Sequence, residues 1–271
     1  MPSQPPSSLV LHAFGTAGLP LVRLAGGQGT SWLAGDLVLK PLDMDERELA
    51  WQAGVFAAIS CDGFRVARSR RAADGSLCVE GWCAWERVAG EHQRRRWPEV
   101  IAVGERFHSA LAGLPRPDFL DRRTSPWAIS DRVAWGEIPA DRFSRVPHLA
   151  RLAAALRPVA APSQLIHGDL SENILFAAPL PPAVIDFSPY WRPTAFASAV
   201  VIADALVFDG AGEQILQAAG HIEMFGQFLV RALIFRAMAA WLLRRDDLVR
   251  PDGTEAWSPA VELACRLASR R

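Results

Sequence analysis

One stretch limits what this chain can fold into more than any other. Residues 164–193 read QLIHGDLSENILFAAPLPPAVIDFSPYWRP. Two short apolar runs, Leu165–Ile166 and Ala183–Val184–Ile185, each deliver an acid, Asp169 and Asp186. Pro179, Pro181 and Pro182 turn the segment back. The pattern predicts a small hairpin-like unit with both acids at one edge and Asn173 just after the first. Taken singly, each aspartate reads as a turn cap. Together, two carboxylates and an amide oxygen at strand ends suit a hard divalent cation carrying phosphate.

The preceding chain supplies more of the same chemistry. Leu21 to Lys40, LVRLAGGQGTSWLAGDLVLK, reads as strand, Gly-rich turn, strand, Gly35–Asp36 turn and a third strand ending on Lys40. Glycines 26, 27 and 29 let the backbone approach a ligand and aim N–H groups at phosphate; an ordinary hairpin turn has the same composition. No Gly-Lys-Ser/Thr follows, so this is not a Walker A loop. Asp43 to Ile59 reads as a helix capped by Asp43 or Asp45, with Glu46 and Glu48 in its first turns. Two further strands, Phe64–Arg70 and Leu77–Val88, lead to a change of character at Gly90. Beyond it the periodicity is mostly helical: Pro98–Leu114, His148–Leu156, Ala195–Phe208, Gly212–Ala219, Ile222–Arg245 and Trp257–Ser269. Strands first and helices later predict an α+β chain with a small antiparallel β-rich front lobe, 1–89, and a helical rear lobe, 90–271.

Composition narrows the partners. With 271 residues and a formal net charge of zero, the chain can bury a sizeable core and offers no bulk attraction to nucleic acid. Four cysteines without CxxC spacing read as reduced and mostly buried. The N-terminal MPSQPPSS has neither basic nor long apolar character, so no secretion signal is expected. Phe225–Leu243 is strongly apolar, but Arg231 and Arg236 interrupt it, which predicts a buried helix rather than a membrane span. A soluble, cytoplasmic protein is the expectation. Basic residues are almost all arginine: Lys40 is the single lysine, and Asn173 is the single asparagine. A compact ammonium kept in such a background has chemical content, because arginine's planar fork cannot replace it everywhere.

His167-Gly168-Asp169-Leu170 with Asn173, followed by Ile185-Asp186-Phe187, resembles the paired signature of the aminoglycoside phosphotransferase family, a branch of the protein-kinase-like superfamily. The Gly-rich hairpin ending in Val38-Leu39-Lys40 is similar to that family's nucleotide lobe, and Ala84 to Gly90 to its hinge. The resemblance implies a two-lobed kinase-like fold and transfer of the γ-phosphate of ATP, with Mg²⁺, to a hydroxyl of a small metabolite or an aminoglycoside-like sugar. It implies that Asp169 orients or deprotonates that hydroxyl, and that Asn173 and Asp186 hold Mg²⁺. Lys40, positioned by Glu48, contacts the α/β phosphates, and backbone amides of Gly27, Gln28, Gly29, Thr30 and Ser31 cover them. Glu86 and Val88 offer backbone groups to adenine. His167 organises the loop by packing.

The chain departs from the family pattern in three places. Asn173 lies four residues after Asp169 where five is usual, so it reaches a metal only if the loop is tightened. Glu48 follows Lys40 by only eight residues. Ser188-Pro189 stands where protein kinases have a flexible glycine, and no Ala-Pro-Glu follows, which favours a small-molecule acceptor. A nucleotide-binding pseudokinase without turnover is the alternative. Asp204, Asp209, Glu213 and Glu223 are candidate acids for a cationic acceptor. Trp127 and Trp135 are candidate stacking surfaces or core.

Overall fold

The computed structural model describes residues 4–24, 29–243 and 257–269. In chain order the elements begin with α1 (Ser8–Ala13), β1 (Leu21–Arg23), β2 (Trp32–Ala34), β3 (Leu37–Pro41) and α2 (Glu46–Ala58). Then come β4 (Arg65–Val66), β5 (Ser69–Arg70), β6 (Cys78–Val79), β7 (Trp82–Glu86) and β8 (Glu91–His92). Helices α3 (Trp97–Ala110), α4 (Phe119–Arg122), α5 (Pro126–Ala134) and α6 (Leu149–Ala155) follow. Next are β9 (Gln164–His167), β10 (Ile174–Ala177), β11 (Leu180–Val184) and β12 (Pro189–Arg192). The chain closes with α7 (Thr194–Val207), α8 (Phe225–Leu242) and α9 (Trp257–Ala268). Expected strands 64–70 and 77–88 are each broken into two short pieces, and the expected helix at 212–219 is a 3-10 turn, Glu213–Ala219. The fold is α+β, with an antiparallel sheet in the N-terminal part and mostly helices in the C-terminal part.

Two compact units emerge: Met1–Glu91 with Leu175–Ile185, and His92–Ile174 with Asp186–Arg271. In the first, an antiparallel sheet runs β1-β2-β3-β7-β5, with β6 also pairing β7. Side chains alternate across a strand, so Leu37 and Leu39 of β3 face a core with Val10 of α1 and Phe14 just after it. Val38 and Lys40 therefore face the other side. Gly35, at φ 61°, opens the two-residue connection between β2 and β3, a conformation a side chain disfavours. Helix α2 is capped by the Asp45 carboxylate, which accepts from the Arg47 N–H at 2.7 Å.

The Pro-rich segment does not pair the two acid-bearing runs with each other. Strand β11 instead pairs β10 and, in parallel, β4, through Ala183–Arg65 and Val184–Val66. Pro181 and Pro182 lie outside the paired residues of β11 and β4. Arg65 secures this unit by donating from Nε to the Pro181 carbonyl and from Nη2 to the Ala89 carbonyl. This is why 175–185 belongs with the first unit rather than with the sequence around it.

The second unit is built around α8, which packs against α5, α6, α7 and α9. It is long and apolar enough to cross a membrane, yet 83% of it is buried inside the protein. Its interior cation Arg231 donates to the Gln227 side chain and to the Arg157 carbonyl at 2.7 Å, beneath the Trp135 ring. Gln227 also donates to Ala155 at the end of α6 and Ala268 at the end of α9, so one polar cluster ties three helix ends together. At the same end, a methyl group on Gly226 would lie 2.5 Å from the Leu267 carbonyl carbon and 2.6 Å from the Ala268 nitrogen. Gly226→Ala is expected to lower stability by about 1–3 kcal/mol, since backbone cannot yield as a side chain can. Urea denaturation measures this; an unchanged midpoint contradicts the close approach of α8 and α9.

Candidate active site

The two acids meet through a ladder in the second unit. Strands β9 and β12 are antiparallel, with Pro189 opposite His167 and Arg192 opposite Gln164. The Gly168 N–H extends the ladder by donating to the Ser188 carbonyl at 3.0 Å. Because the strands run in opposite directions, the exit from β9 and the entry to β12 share one end, and both Asp169 and Asp186 sit there. Gly168 is required: a Cβ there would collide with the Tyr190 ring, which is fixed edge-on against Phe235. Burial pushes the Tyr190 hydroxyl's pKa well up, so this sole tyrosine acts as a neutral packing group.

The loop carrying Asp169 is held from below by two histidines. The buried His108 ring of α3 accepts the His167 N–H at its Nε2, 3.0 Å away. His167 Nδ1 in turn accepts the Asp169 N–H at 3.1 Å. Phe107 and Phe187 stand edge-on to the His167 ring. His167 therefore shapes the loop from within the core.

The four-residue step from Asp169 to Asn173 closes as a tight turn. The Asn173 N–H donates to the Leu170 carbonyl at 3.1 Å, and its Nδ2 donates to the Asp169 carbonyl at 2.7 Å. With its NH₂ end tethered, the amide presents its oxygen away from that carbonyl. Leu170 is buried against Gly104 of α3, where any Cβ would displace it. Asp186 is exposed and adopts φ 47°, a left-handed conformation that aspartate tolerates better than most residues and that concentrates at functional sites. Among the described residues no group of three or more His, Cys, Asp or Glu could hold a metal. Any metal here would rely on Asn173, Asp186 and a ligand's own oxygens, which suits Mg²⁺ with a nucleotide.

The Asp169 carboxylate, 40% exposed, accepts from Arg236 Nη2 of α8 at 2.7 Å. Arg236 also grips Asp204 of α7 with Nε and Nη2, and Ser171 Oγ donates to the same Asp204. Burial alone would weaken the guanidinium's hold on its proton, but Asp204 and Asp169 outweigh it and raise its pKa. Neither Arg236 nor Ser171 was identified as a site residue from sequence. The one available signal was an arginine inside an apolar helix.

The candidate acids for a cationic acceptor are mostly committed elsewhere. Asp204 serves Arg236, Asp209 is bound by Arg94 and the Trp97 indole N–H, and Glu213 pairs with Arg266. Trp135 is half-buried, edge-on to Phe196 and beneath Arg192 and Arg231. Trp127, 36% exposed and beside Phe235 and the Arg236 guanidinium, keeps a surface for stacking. Arg192 holds β12 in place through a bidentate bond to the largely buried Asp131 and a second ion pair with Glu137.

In the first unit, Lys40 lies in β3 opposite Cys83 of β7. Glu48 is buried on α2, 6% exposed, while Glu46 of the same turn is exposed. Leu24 N–H to Ser31 carbonyl, and Arg23 Nε to Gly29 carbonyl, hold the base of the Gly-rich turn, with Thr30 half-buried. Gly27 and Gln28 lie outside the described residues. The Glu86 N–H is spent on the Arg68 carbonyl and the Arg87 N–H on Asp36. Glu86 closes β7, and Val88 follows two residues later.

This fold and this loop define the class of protein, a phosphotransferase. The model of the phosphotransferase enzyme family, APH, matches residues 23–190, and the chain belongs to that family. Among solved structures the chain is similar to spectinomycin phosphotransferase APH(9)-Ia, crystallised with ADP and spectinomycin: 14% identity over 98% of each chain, TM-score 0.57. It is also similar to a thermostable mutant of aminoglycoside phosphotransferase APH(4)-Ia in ternary complex with ADP and hygromycin B: 14% identity over 97% of this chain and 98% of that one, TM-score 0.59. Choline kinase LicA from Streptococcus pneumoniae aligns with 95% of this chain and 98% of its own at 10% identity, TM-score 0.57. At such identities the likeness speaks for the fold. No curated protein sequence matches the chain.

The histidine pair has a measurable consequence. Burial, with a smaller push from His167, lowers the His108 pKa from 6.5 to about 3. Between those values the unfolded chain binds the proton and the folded one does not. Stability therefore rises with pH across this window and is lost as pH falls from 6.5 toward 3. His108→Gln keeps an acceptor for the His167 N–H and cannot titrate. Urea denaturation between pH 6.5 and 4.5 should show wild type losing roughly 1 kcal/mol more per pH unit than the variant.

Proposed function

We propose that this chain transfers the γ-phosphoryl group of Mg²⁺-ATP to a hydroxyl of a small-molecule acceptor. The observation that carries the reading is the Asp169 carboxylate: half-exposed, on a loop braced by His167, Asn173 and Arg236. The structural relatives crystallised with ADP support a nucleotide as donor. Bound Mg²⁺-ATP would supply the phosphoryl group and the charge neutralisation that its transfer needs.

The chain's own contributions follow residue by residue. Asp169 orients the acceptor hydroxyl and takes its proton as the oxygen attacks. Asn173 and Asp186 would hold Mg²⁺ by their side-chain oxygens. Lys40, a compact point charge, suits phosphate oxygens, and Glu48, the buried acid of α2, would position it. Amides from Gly27 to Ser31 would cover the phosphates. The Glu86 carbonyl and the Val88 backbone would meet adenine. Trp127 offers the acceptor a flat apolar face. With Asp204, Asp209 and Glu213 all neutralised by arginines, the acceptor we favour is a polyol or sugar with few ammonium groups.

The competing reading, a nucleotide-binding protein without turnover, draws on the Arg236–Asp169 ion pair, which engages the proposed base. The bond occupies Oδ1 while the side chain stays 40% exposed, which favours turnover. Asp169→Ala is expected to cut phosphoryl transfer by about 10³-fold or more, in line with removal of a catalytic group, and to spare nucleotide affinity. Asp186→Ala should weaken ATP binding in Mg²⁺ but not in its absence. Calorimetric titration with ATP, with and without Mg²⁺, and a radiolabelled-phosphate screen of neutral polyols against polycationic aminoglycosides measure these outcomes. Tight Mg²⁺-ATP binding with no labelled product from any acceptor would favour the non-catalytic reading. Equal Mg²⁺-ATP binding by wild type and Asp186→Ala would sink the metal assignment.

A further inference from the structure

We propose that Arg236 is a positioning residue: locked by Asp204, its guanidinium holds one oxygen of Asp169 and turns the other toward the acceptor hydroxyl. This rests on the reading of Asp169 as the proton acceptor. Arg236 lies 67 residues from Asp169 in sequence, on the central helix of the second unit.

Four features carry the inference. First, the guanidinium is only 10% exposed, and its fork is used at both edges, Nε and Nη2 on Asp204 and Nη2 again on Asp169. Second, Asp204 already neutralises the guanidinium and takes two of its N–H bonds in bidentate fashion. Asp169 is well hydrated at 40% exposure and needs no partner to stay soluble. The bond between them therefore contributes direction: it selects one orientation of an otherwise mobile carboxylate. Third, Asp204 holds the loop twice, through Arg236 on Asp169 and directly through Ser171, two residues further on. The loop's backbone and its acid are thus referenced to the same buried carboxylate on α7. Fourth, the Trp127 and Phe235 rings lie 5.9 and 5.4 Å from the guanidinium carbon and limit where it can move.

A lysine cannot do the same. Its single ammonium lacks the planar fork needed to meet two carboxylates in fixed directions. Holding a reacting group in register is worth a large factor, and a displacement of about 1 Å can cost about 10²-fold in rate.

The test uses the full chain. Arg236→Ala and Arg236→Lys should each lower kcat by about 10²-fold while the KM for ATP stays within about twofold. Guanidinium chloride at millimolar concentration should restore at least a tenth of the lost turnover to Arg236→Ala and nothing to wild type or to Asp169→Ala. Ser171→Ala, which removes only the second hold on the loop, guards against a variant that fails to fold and should lower kcat by about threefold or more with an unchanged melting temperature. An unaltered kcat in Arg236→Lys, or a loss matched by lost ATP affinity without rescue, overturns the proposal. Side-chain guanidinium NMR reads the hold without turnover: Asp204 keeps the group from rotating in both proteins, but the Arg236 Nη2 proton signal should lie downfield in wild type, as a charge-assisted bond to a carboxylate requires, and move upfield in Asp169→Asn. Should wild type phosphorylate no acceptor, the reaction reading fails while this signal still upholds the hold on the carboxylate. A wild-type signal that Asp169→Asn leaves unchanged overturns the hold itself.

Discussion

The antiparallel ladder between β9 and β12, closed by the Gly168–Ser188 hydrogen bond, is the constraint on which the site depends. It places two loops, each carrying an acid, at one end of a two-stranded sheet. A two-stranded ribbon has little stability of its own. Here it rests on α3 and α7 and is pinned at its far end by the bidentate Arg192–Asp131 pair. The Tyr190 ring fills the space that a Gly168 side chain would need. One close contact thereby fixes both the motif's glycine and the path of the chain into Asp169.

Above the ladder, the loop is shaped by hydrogen bonds that pass from core to surface. His108 holds His167, His167 holds the Asp169 amide, and Asn173 returns to the Asp169 carbonyl. Each bond uses the aspartate's backbone, so the loop is fixed independently of the carboxylate, whose Oδ1 goes to Arg236. The shortened loop is accommodated because Asn173 folds back on the residue that opens the turn.

The arginine-rich composition has a structural reading. Within the second unit Arg192, Arg231 and Arg236 are each largely buried, and each uses its fork on two or more partners while lying near an aromatic ring. A weakly hydrated, planar cation pays less to leave water than an ammonium and returns more bonds. The rule that buried charges are paired decides the fate of Asp204 and Asp131 as well. Asp204 read from sequence as a candidate contact for a cationic acceptor; both acids are instead parts of the scaffold.

How much was legible depends on the range of the interaction. The sequence by itself determined the β3 alternation that sets Lys40 opposite the Leu37–Leu39 core. It also determined the order of strands before helices, and the HGD and IDF segments that carry the acids. Those features are written in near neighbours and in residue chemistry. The sequence could not say which strand would pair with which. The prolines at 179, 181 and 182 suggested that the two acid-bearing runs form one hairpin, whereas β11 finds β4 and β10, and β9 finds β12. Only tertiary structure decided that Glu48 rather than Glu46 is the buried acid of α2. It alone decided that His108 supports the loop carrying Asp169 and that Arg236 reaches that acid. These contacts join residues that the chain separates by dozens of positions. Such pairings are set by packing and by the cost of burying unpaired charge, neither of which leaves a local signature.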